Sequence, residues 1–204
     1  MREISCEQIT NALEGLCMKA CTMLPPETAM LIDCAVDTEE SPTARGVLQD
    51  LCENFTYAGL NELPICQDTG MAVIFAEIGQ EVHITGGLFA DAVNEGVRRG
   101  YVLLRKCVVR DPLRRVNTGD NTPAVIHTEL VAGDKLRLTL APKGFGSENM
   151  SAMKLFLPSA DKSEVIDFIV ETADKAGSNP CPPIIMGVGL GGTIEQAALL
   201  SKRA

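Results

Sequence analysis

The chain has 204 residues, of which 46% are hydrophobic and 22% are charged, a size and composition typical of a globular domain with its own core. Its 27 acidic and 18 basic residues leave a net charge of -9, which disfavours binding to a phosphate backbone. The sequence contains no run of about 18 apolar residues, the length that a helix needs to cross a bilayer. We therefore expect neither a nucleic-acid partner nor a membrane partner.

Helices are predicted in the first part of the chain. Apolar residues recur at helical spacing over residues 3–22, and Ser41 followed by a proline is typical of a helix start, here for a helix over about 42–57. Cys17 and Cys21 lie on the apolar stripe of the first helix. We therefore assign both thiols to core packing rather than to a metal site.

The rest of the chain is predicted to mix strands with helices. The predicted strands cover Met71–Ile78, Val82–Ile84, 123–130, 135–141 and Ile184–Met186, and the predicted helices cover 88–106, 148–157, 162–176 and a stretch from Thr193. Gly133 and Asp134 join two of the strands and predict a hairpin. Helices followed by a mixed sheet with flanking helices indicate an α+β (mixed α/β) fold.

One domain is predicted over residues 1–204. It comprises a helical subregion over 1–60 and an α/β portion over 61–204. The apolar pattern of the last helix continues to within a few residues of Ala204 without a stop signal. We therefore expect the domain to be truncated at its carboxyl terminus and the chain to be part of a longer polypeptide.

Two of the eight cysteines lie in loops rather than on apolar stripes. The amino terminus lacks the apolar segment of a secretory signal, so we expect reduced thiols and a cytoplasmic location. Cys66 lies within Pro64–Gly70, and Cys181 lies within Gly177–Pro183, which three prolines make rigid. Their separation excludes a local zinc knuckle and permits an iron-sulfur site assembled from distant loops.

Four further motifs each have two interpretations. Lys143–Asn149 is glycine-rich and precedes a predicted helix with Ser147 as its N-cap, so it is either an anion site or a simple cap. Asn117–Pro123 is a polar turn that binds an anion or only connects two elements. The seven basic residues of 98–115 form a solvated face or include one arginine for a carboxylate. Gly187–Gly192 satisfies G-x-G-x-x-G, a weak dinucleotide signal.

Three of these segments carry a resemblance to a known family. Pro64–Gly70, Lys143–Ser151 and Asn179–Thr193 resemble the class I, iron-sulfur fumarate hydratases and the related L-tartrate dehydratases. The chain is similar, over nearly its whole length, to the amino-terminal part of their alpha subunit or alpha-type catalytic domain. The resemblance implies a [4Fe-4S] cluster on three cysteines, with Cys66 and Cys181 as two ligands, a third beyond the end of this chain, and one iron open to substrate.

The resemblance also assigns roles to individual residues. Gln67 and Asp68 match a catalytic pair that contacts the substrate and its hydroxyl, and Arg105 matches an arginine that binds a substrate carboxylate. Gly146 matches a backbone donor to the substrate, although Phe145 stands where many relatives have another glycine. The family's catalytic base belongs to its beta part.

The activity implied is reversible hydration of a C4 dicarboxylate, and fumarate to (S)-malate is preferred on base rate alone. The alternative within the family is an L(+)-tartrate dehydratase alpha subunit. The resemblance further implies a beta subunit or a carboxyl-terminal beta domain as partner, a dimer of alpha/beta units, and no activity for this fragment alone. Two other classes remain open, namely an NAD-binding oxidoreductase domain that uses Gly187–Gly192 and a noncatalytic iron-sulfur or interaction subunit.

Overall fold

A computed structural model describes residues 1–181 and 183–204. The chain forms two compact units, a first unit over Met1–Gly144 and a second unit over Phe145–Ala204. In chain order the first unit contains β1 (Arg2–Ser5), α1 (Cys6–Thr22), α2 (Pro26–Thr38), α3 (Pro42–Asn61), β2 (Met71–Gly79), β3 (Val82–Thr85), α4 (Phe89–Gly100), β4 (Val125–Val131) and β5 (Leu136–Lys143). The second unit contains α5 (Phe145–Glu148), α6 (Lys162–Ala176) and α7 (Ile194–Arg203). Among the described residues, no helix has both the length and the apolar character that a membrane crossing requires.

Helix α1 begins later than the apolar spacing predicts. Ser5 is its N-cap: the Ser5 hydroxyl accepts from the backbone N–H of Gln8 at 3.2 Å, and the Gln8 side chain accepts from the Ser5 N–H at 2.9 Å. This reciprocal pair satisfies two backbone donors that a helix start leaves open. Residues 2–5 therefore form a strand, which pairs in parallel with β3.

The core of the first unit lies between α1 and α4. Leu13 and Cys17 of α1 and Val97 of α4 are fully buried. Two glycines of α4 permit the close approach, because a Cβ on Gly96 would lie 2.7 Å from the Leu13 Cβ and a Cβ on Gly100 would lie 2.5 Å from the Cys17 Cβ. The prediction that Cys17 packs in the core is confirmed, as is that for Cys21, which is 7% exposed.

The three-stranded sheet has the order β4-β2-β5. Strand β2 pairs in parallel with β4, with Val73 opposite Val125, and antiparallel with β5, with Met71 opposite Lys143. The predicted hairpin between the last two strands is therefore wrong, although both strands exist. The buried apolar strand β2 separates them and provides hydrogen-bonding partners on both of its edges.

Other differences concern the extent of helices. Helix α4 ends at Gly100 rather than at residue 106, although the apolar pattern continues into the buried side chains of Tyr101 and Leu104. Helix α2 was not predicted, and α3 extends to Asn61. In the second unit, the predicted helix over 148–157 is replaced by the single turn α5 and irregular chain. The α+β class is confirmed by the helices, the mixed three-stranded sheet and the parallel pair of β1 and β3.

Candidate active site

The loop between α3 and β2 carries the first predicted ligand and the acid–amide pair. Gln67 is exposed, Cys66 and Asp68 are half-buried, and Thr69 and Gly70 are buried. The buried end of the loop is fixed by Tyr101, whose fully buried side chain donates its hydroxyl to the Thr69 carbonyl at 2.8 Å. The loop therefore presents its first half to solvent and anchors its second half in the core.

The Cys66 thiol lies in polar surroundings. The backbone N–H of Asp68 points at the Cys66 Sγ at 3.4 Å, and the thiol itself lies 3.6 Å from the Gln67 Oε1. Cys66 thus has the environment of a potential metal ligand rather than that of a core thiol.

The Asp68 carboxylate is held on several sides. Its Oδ1 accepts from the Gly70 N–H at 3.1 Å and lies 3.5 Å from the Cys107 Sγ. A Cβ added to Gly144 would lie 3.0 Å from the Asp68 Oδ2, so a glycine at that position leaves room for the carboxylate. Burial, followed by the charge of Asp68, raises the pKa of the Cys107 thiol. Cys107 therefore stays protonated near neutral pH and donates to Asp68.

Arg105 lies beside this loop. The backbone carbonyl of Arg105 accepts from the Thr69 hydroxyl at 2.6 Å, and its Nη1 donates to the Gln67 carbonyl at 3.4 Å. The side chain is exposed. The structure thus brings Cys66, Gln67, Asp68 and Arg105 together at one place in the first unit.

Whichever interpretation of the basic residues of 98–115 applies, the residues other than Arg105 should lie at a solvated face and be exposed. Arg98, Arg110, Arg114 and Arg115 are exposed, whereas Arg99 and Lys106 are half-buried. Arg99 pairs with Glu95 at 2.8 Å and with Glu7 at 3.2 Å, which offsets the cost of partial burial. The prediction placed Arg105 at the end of a helix, whereas the structure places it in the loop after α4. Its contact with Gln67, rather than its burial, distinguishes it from its neighbours.

The second unit carries the other predicted ligand. Cys181 is exposed and has a φ of 57°, a left-handed conformation that is unusual for a residue other than glycine. Its N–H donates to the Ser178 carbonyl at 3.2 Å. The adjacent Pro182 of the predicted rigid loop lies outside the described residues. Strained backbone conformations cluster at functional sites, so Cys181 remains a candidate ligand.

Gly146 lies in the one-turn helix α5 and not before a longer helix. A Cβ on Gly146 would lie 2.6 Å from the Asn179 carbonyl oxygen, so this position requires glycine for packing within the second unit. Ser147 lies inside the same turn, so its predicted role as the N-cap of a helix is wrong. Gly144, which sequence reasoning did not select, contacts Asp68 instead.

The dinucleotide fingerprint lacks its strand. Residues 184–186 are irregular, whereas a dinucleotide-binding turn follows a strand. A Cβ on Gly189 would lie 2.0 Å from the Ala197 carbonyl oxygen, so this glycine permits close packing on α7. Helix α7 does follow Thr193 as predicted. Gly189 thus has a structural explanation without a nucleotide.

The donor chemistry suits iron-sulfur ligation at two of the cysteines. Cys66 and Cys181 are accessible loop thiols, whereas Cys17 and Cys21 are buried in the core. Within residues 1–181 and 183–204, no group of three or more histidine, cysteine, aspartate or glutamate side chains is arranged around a possible metal ion. Two thiols of the right type are thus present, and the described residues do not supply a complete ligand set.

Iodoacetamide at about pH 8 is expected to label Cys66 and Cys181 quickly in metal-free folded protein and to leave Cys17 unlabelled. Alkylation requires the thiolate. Burial, followed by the charge of Cys21, raises the pKa of Cys17 to about 12. Mass spectrometry of the labelled peptides gives the rates, with the exposed Cys34 as a control for reagent activity. Labelling of Cys17 as fast as Cys34 would contradict the core assignment.

The chain matches the family model described as fumarate hydratase (Fumerase) over residues 10–204. It is 34% identical, over 205 aligned residues, to the putative L(+)-tartrate dehydratase subunit alpha of Methanocaldococcus jannaschii, with 97% of this chain and 72% of that protein covered. It is 26% identical over 204 residues to the L(+)-tartrate dehydratase subunit alpha of Escherichia coli strain K12, with 97% of this chain and 66% of that protein covered. The chain therefore spans about two thirds to three quarters of the length of these relatives.

Proposed function

The chain belongs to the fumarate hydratase (Fumerase) family, and on this premise we propose that it is the alpha part of an iron-sulfur hydro-lyase that acts on a C4 hydroxy-dicarboxylate. The substrate we propose is L(+)-tartrate, because both relatives carry that name. The sequence alone favours fumarate and (S)-malate, but only on base rate. They form the second candidate substrate pair, which the description of the family model supports.

One observation carries the proposal. The exposed guanidinium of Arg105 contacts the carbonyl of Gln67, next to Cys66 and Asp68. An arginine binds a carboxylate through two parallel N–H donors, and an exposed arginine keeps donors available for an incoming ligand. An anion bound there would lie beside the proposed cluster ligand.

Cys66 and Cys181 would hold two corners of a [4Fe-4S] cluster, with the third cysteine supplied from elsewhere in the full polypeptide. When bound, the cluster would supply an open iron that acts as a Lewis acid on a hydroxyl and a carboxylate oxygen. The polar contacts of Cys66 and the left-handed backbone of Cys181 support these two assignments. Both thiols are at least partly exposed, so neither needs a rearrangement of the core to bind iron.

The residues of this chain would bind and orient the substrate. Arg105 would pair with one carboxylate, and Gln67 would contact the substrate from the exposed side of the loop. The Asp68 carboxylate, held by Gly70 and Cys107, would contact the reacting hydroxyl. Gly146 would contribute a backbone donor. Fixed donors of this kind stabilise the negative charge that develops as a proton leaves the carbon beside a carboxylate.

The partner we propose is a beta subunit or a beta domain that supplies the catalytic base, with the complete enzyme a dimer of alpha/beta units. Both relatives are alpha subunits, which supports a beta partner. We place the enzyme in the cytoplasm, a reducing compartment that suits its eight free thiols.

Steady-state kinetics of the complete enzyme decide between the substrates. The full-length alpha polypeptide, purified anaerobically with its beta partner, is expected to show a kcat/KM for L(+)-tartrate at least about tenfold above that for (S)-malate or fumarate. The residues 1–204 alone are expected to give no turnover, because the base and the third ligand are missing. A preference for fumarate would transfer the proposal to the second candidate, and turnover of neither would overturn both.

A further inference from the structure

Asn121 is a buried polar residue that the proposed chemistry leaves unexplained. It belongs to the turn between α4 and β4, its side chain is fully buried, and its φ is 62°. Asparagine tolerates this left-handed conformation better than most residues. A buried amide is costly unless its donors and acceptors are paired, so its partners show what it does.

The Asn121 carboxamide joins two segments of the candidate site. Its Oδ1 accepts from the backbone N–H groups of Cys107 at 2.7 Å and Val108 at 3.1 Å, and its Nδ2 donates to the Gly70 carbonyl at 3.0 Å. The first segment follows Arg105, and the second ends the loop that carries Cys66. One side chain thus connects the two segments at a fixed distance.

We infer that Asn121 is a positioning residue that fixes the backbone of Arg105 relative to the Cys66 loop, an inference that rests on the substrate role proposed above for Arg105. The Arg105 side chain is exposed, so packing around it does little to set its position. The backbone is anchored instead, by Thr69 at the Arg105 carbonyl and by Asn121 at the N–H groups of Cys107 and Val108, two and three residues further along the chain.

This assignment gives Asn121 a role that neither interpretation of the polar turn included. The turn does not present Asn121 to an external anion, since the amide is buried and its Nδ2 already donates to the Gly70 carbonyl. Nor does the turn merely connect α4 to β4. It places a buried amide between the two loops of the site, and small displacements of a binding group lower catalytic efficiency strongly.

Asn121→Asp is the test variant, made in the complete enzyme. Aspartate tolerates the left-handed backbone and retains the oxygen that accepts from Cys107 and Val108, but its second oxygen would face the Gly70 carbonyl without a donor. We expect kcat/KM to fall about 10- to 100-fold, mainly through KM, with iron content and the cluster spectrum unchanged. Asn94→Asp is the matched control, because the Asn94 amide likewise accepts from a backbone N–H, that of Ala124, and donates to a backbone carbonyl, that of Ala90.

A double-mutant cycle separates positioning from general stability. Arg105→Lys removes the bidentate geometry that we assign to the arginine. In that background Asn121→Asp is expected to lower kcat/KM less than about threefold further, since residues that act through one another are not additive. Full additivity, or an Asn121→Asp enzyme that behaves like the Asn94→Asp control, would overturn the inference.

Two further measurements keep the inference testable if Asn121→Asp fails to fold or if no C4 dicarboxylate is turned over. Thr69→Val removes the hydroxyl that anchors the Arg105 carbonyl and should raise KM, whereas Thr69→Ser should restore it. Hydrogen exchange needs no substrate: Asn121→Gly should speed exchange at the Cys107 and Val108 amides about tenfold and leave the α1 amides unchanged. Unchanged protection at these two amides would show that Asn121 does not anchor the segment, whatever the substrate is.

Discussion

Cys66→Ser in the complete enzyme is expected to remove the cluster absorbance at about 400 nm and to lower kcat/KM more than about 100-fold. A serine hydroxyl is a poor replacement for thiolate on iron, and the neighbouring N–H of Asp68 that points at the sulfur cannot compensate for the loss. Anaerobic purification, iron analysis and absorbance spectra measure the first effect, and steady-state kinetics measure the second.

Cys34→Ser is the control for this experiment. Cys34 is an exposed free thiol on α2, so its replacement changes neither packing nor the loop that we assign to the cluster. The control should keep iron and activity. If Cys66→Ser kept iron at the level of the Cys34→Ser protein, Cys66 would not be a ligand and the cluster assignment would be wrong.

Gly70→Ala is expected to destabilise the first unit by about 3–5 kcal/mol and to lower its Tm by about 10 °C. Gly70 has a φ of 70°, and an added Cβ would lie 2.6 Å from the backbone carbonyl of Lys143. Neither backbone can move easily, because Met71 and Lys143 are paired in the sheet. Thermal unfolding followed by circular dichroism measures the change.

Gly133→Ala is the matched control for the clash. Gly133 also has a positive φ, of 97°, but nothing lies within 4 Å of its added Cβ. The Gly133→Ala variant should lose only about 1–2 kcal/mol of unfolding free energy, which is the cost of the backbone conformation. Equal destabilisation by the two variants would show that the contact with Lys143 contributes nothing.

Local patterns predicted the elements whose signals are local. Ser41 followed by proline predicted the start of α3, and the Ser41 hydroxyl does accept from the Ala44 N–H at 3.4 Å. Helix α2 escaped prediction because it buries none of its residues, so no inward stripe marks it. The hairpin was wrong for a different reason, since a turn signal at Gly133 specifies a reversal of the chain but not which strand pairs with which.

In the candidate site, too, some features can be predicted from the local sequence and others depend on packing. The polar loop around Cys66 is visible in the sequence because thiol, amide and carboxylate stand together between proline and glycine. The contacts of Tyr101, Asn121 and Gly144 with this loop depend on how distant segments pack. The polar turn that contains Asn121 was a recognisable signal, but only the buried amide and its three partners show what the turn does.

The central position of β2 has a consequence for the order in which the protein folds. Both partners of β2 come later in the chain, after β3 and α4, so the sheet forms only through contacts between distant segments. Such non-local topologies fold more slowly than those built from hairpins. During synthesis, β2 leaves the ribosome long before the Lys143 backbone that packs on Gly70. The loop carrying Cys66 therefore reaches its final geometry late, and iron delivered to a shorter nascent chain would meet a thiol whose surroundings have not yet formed.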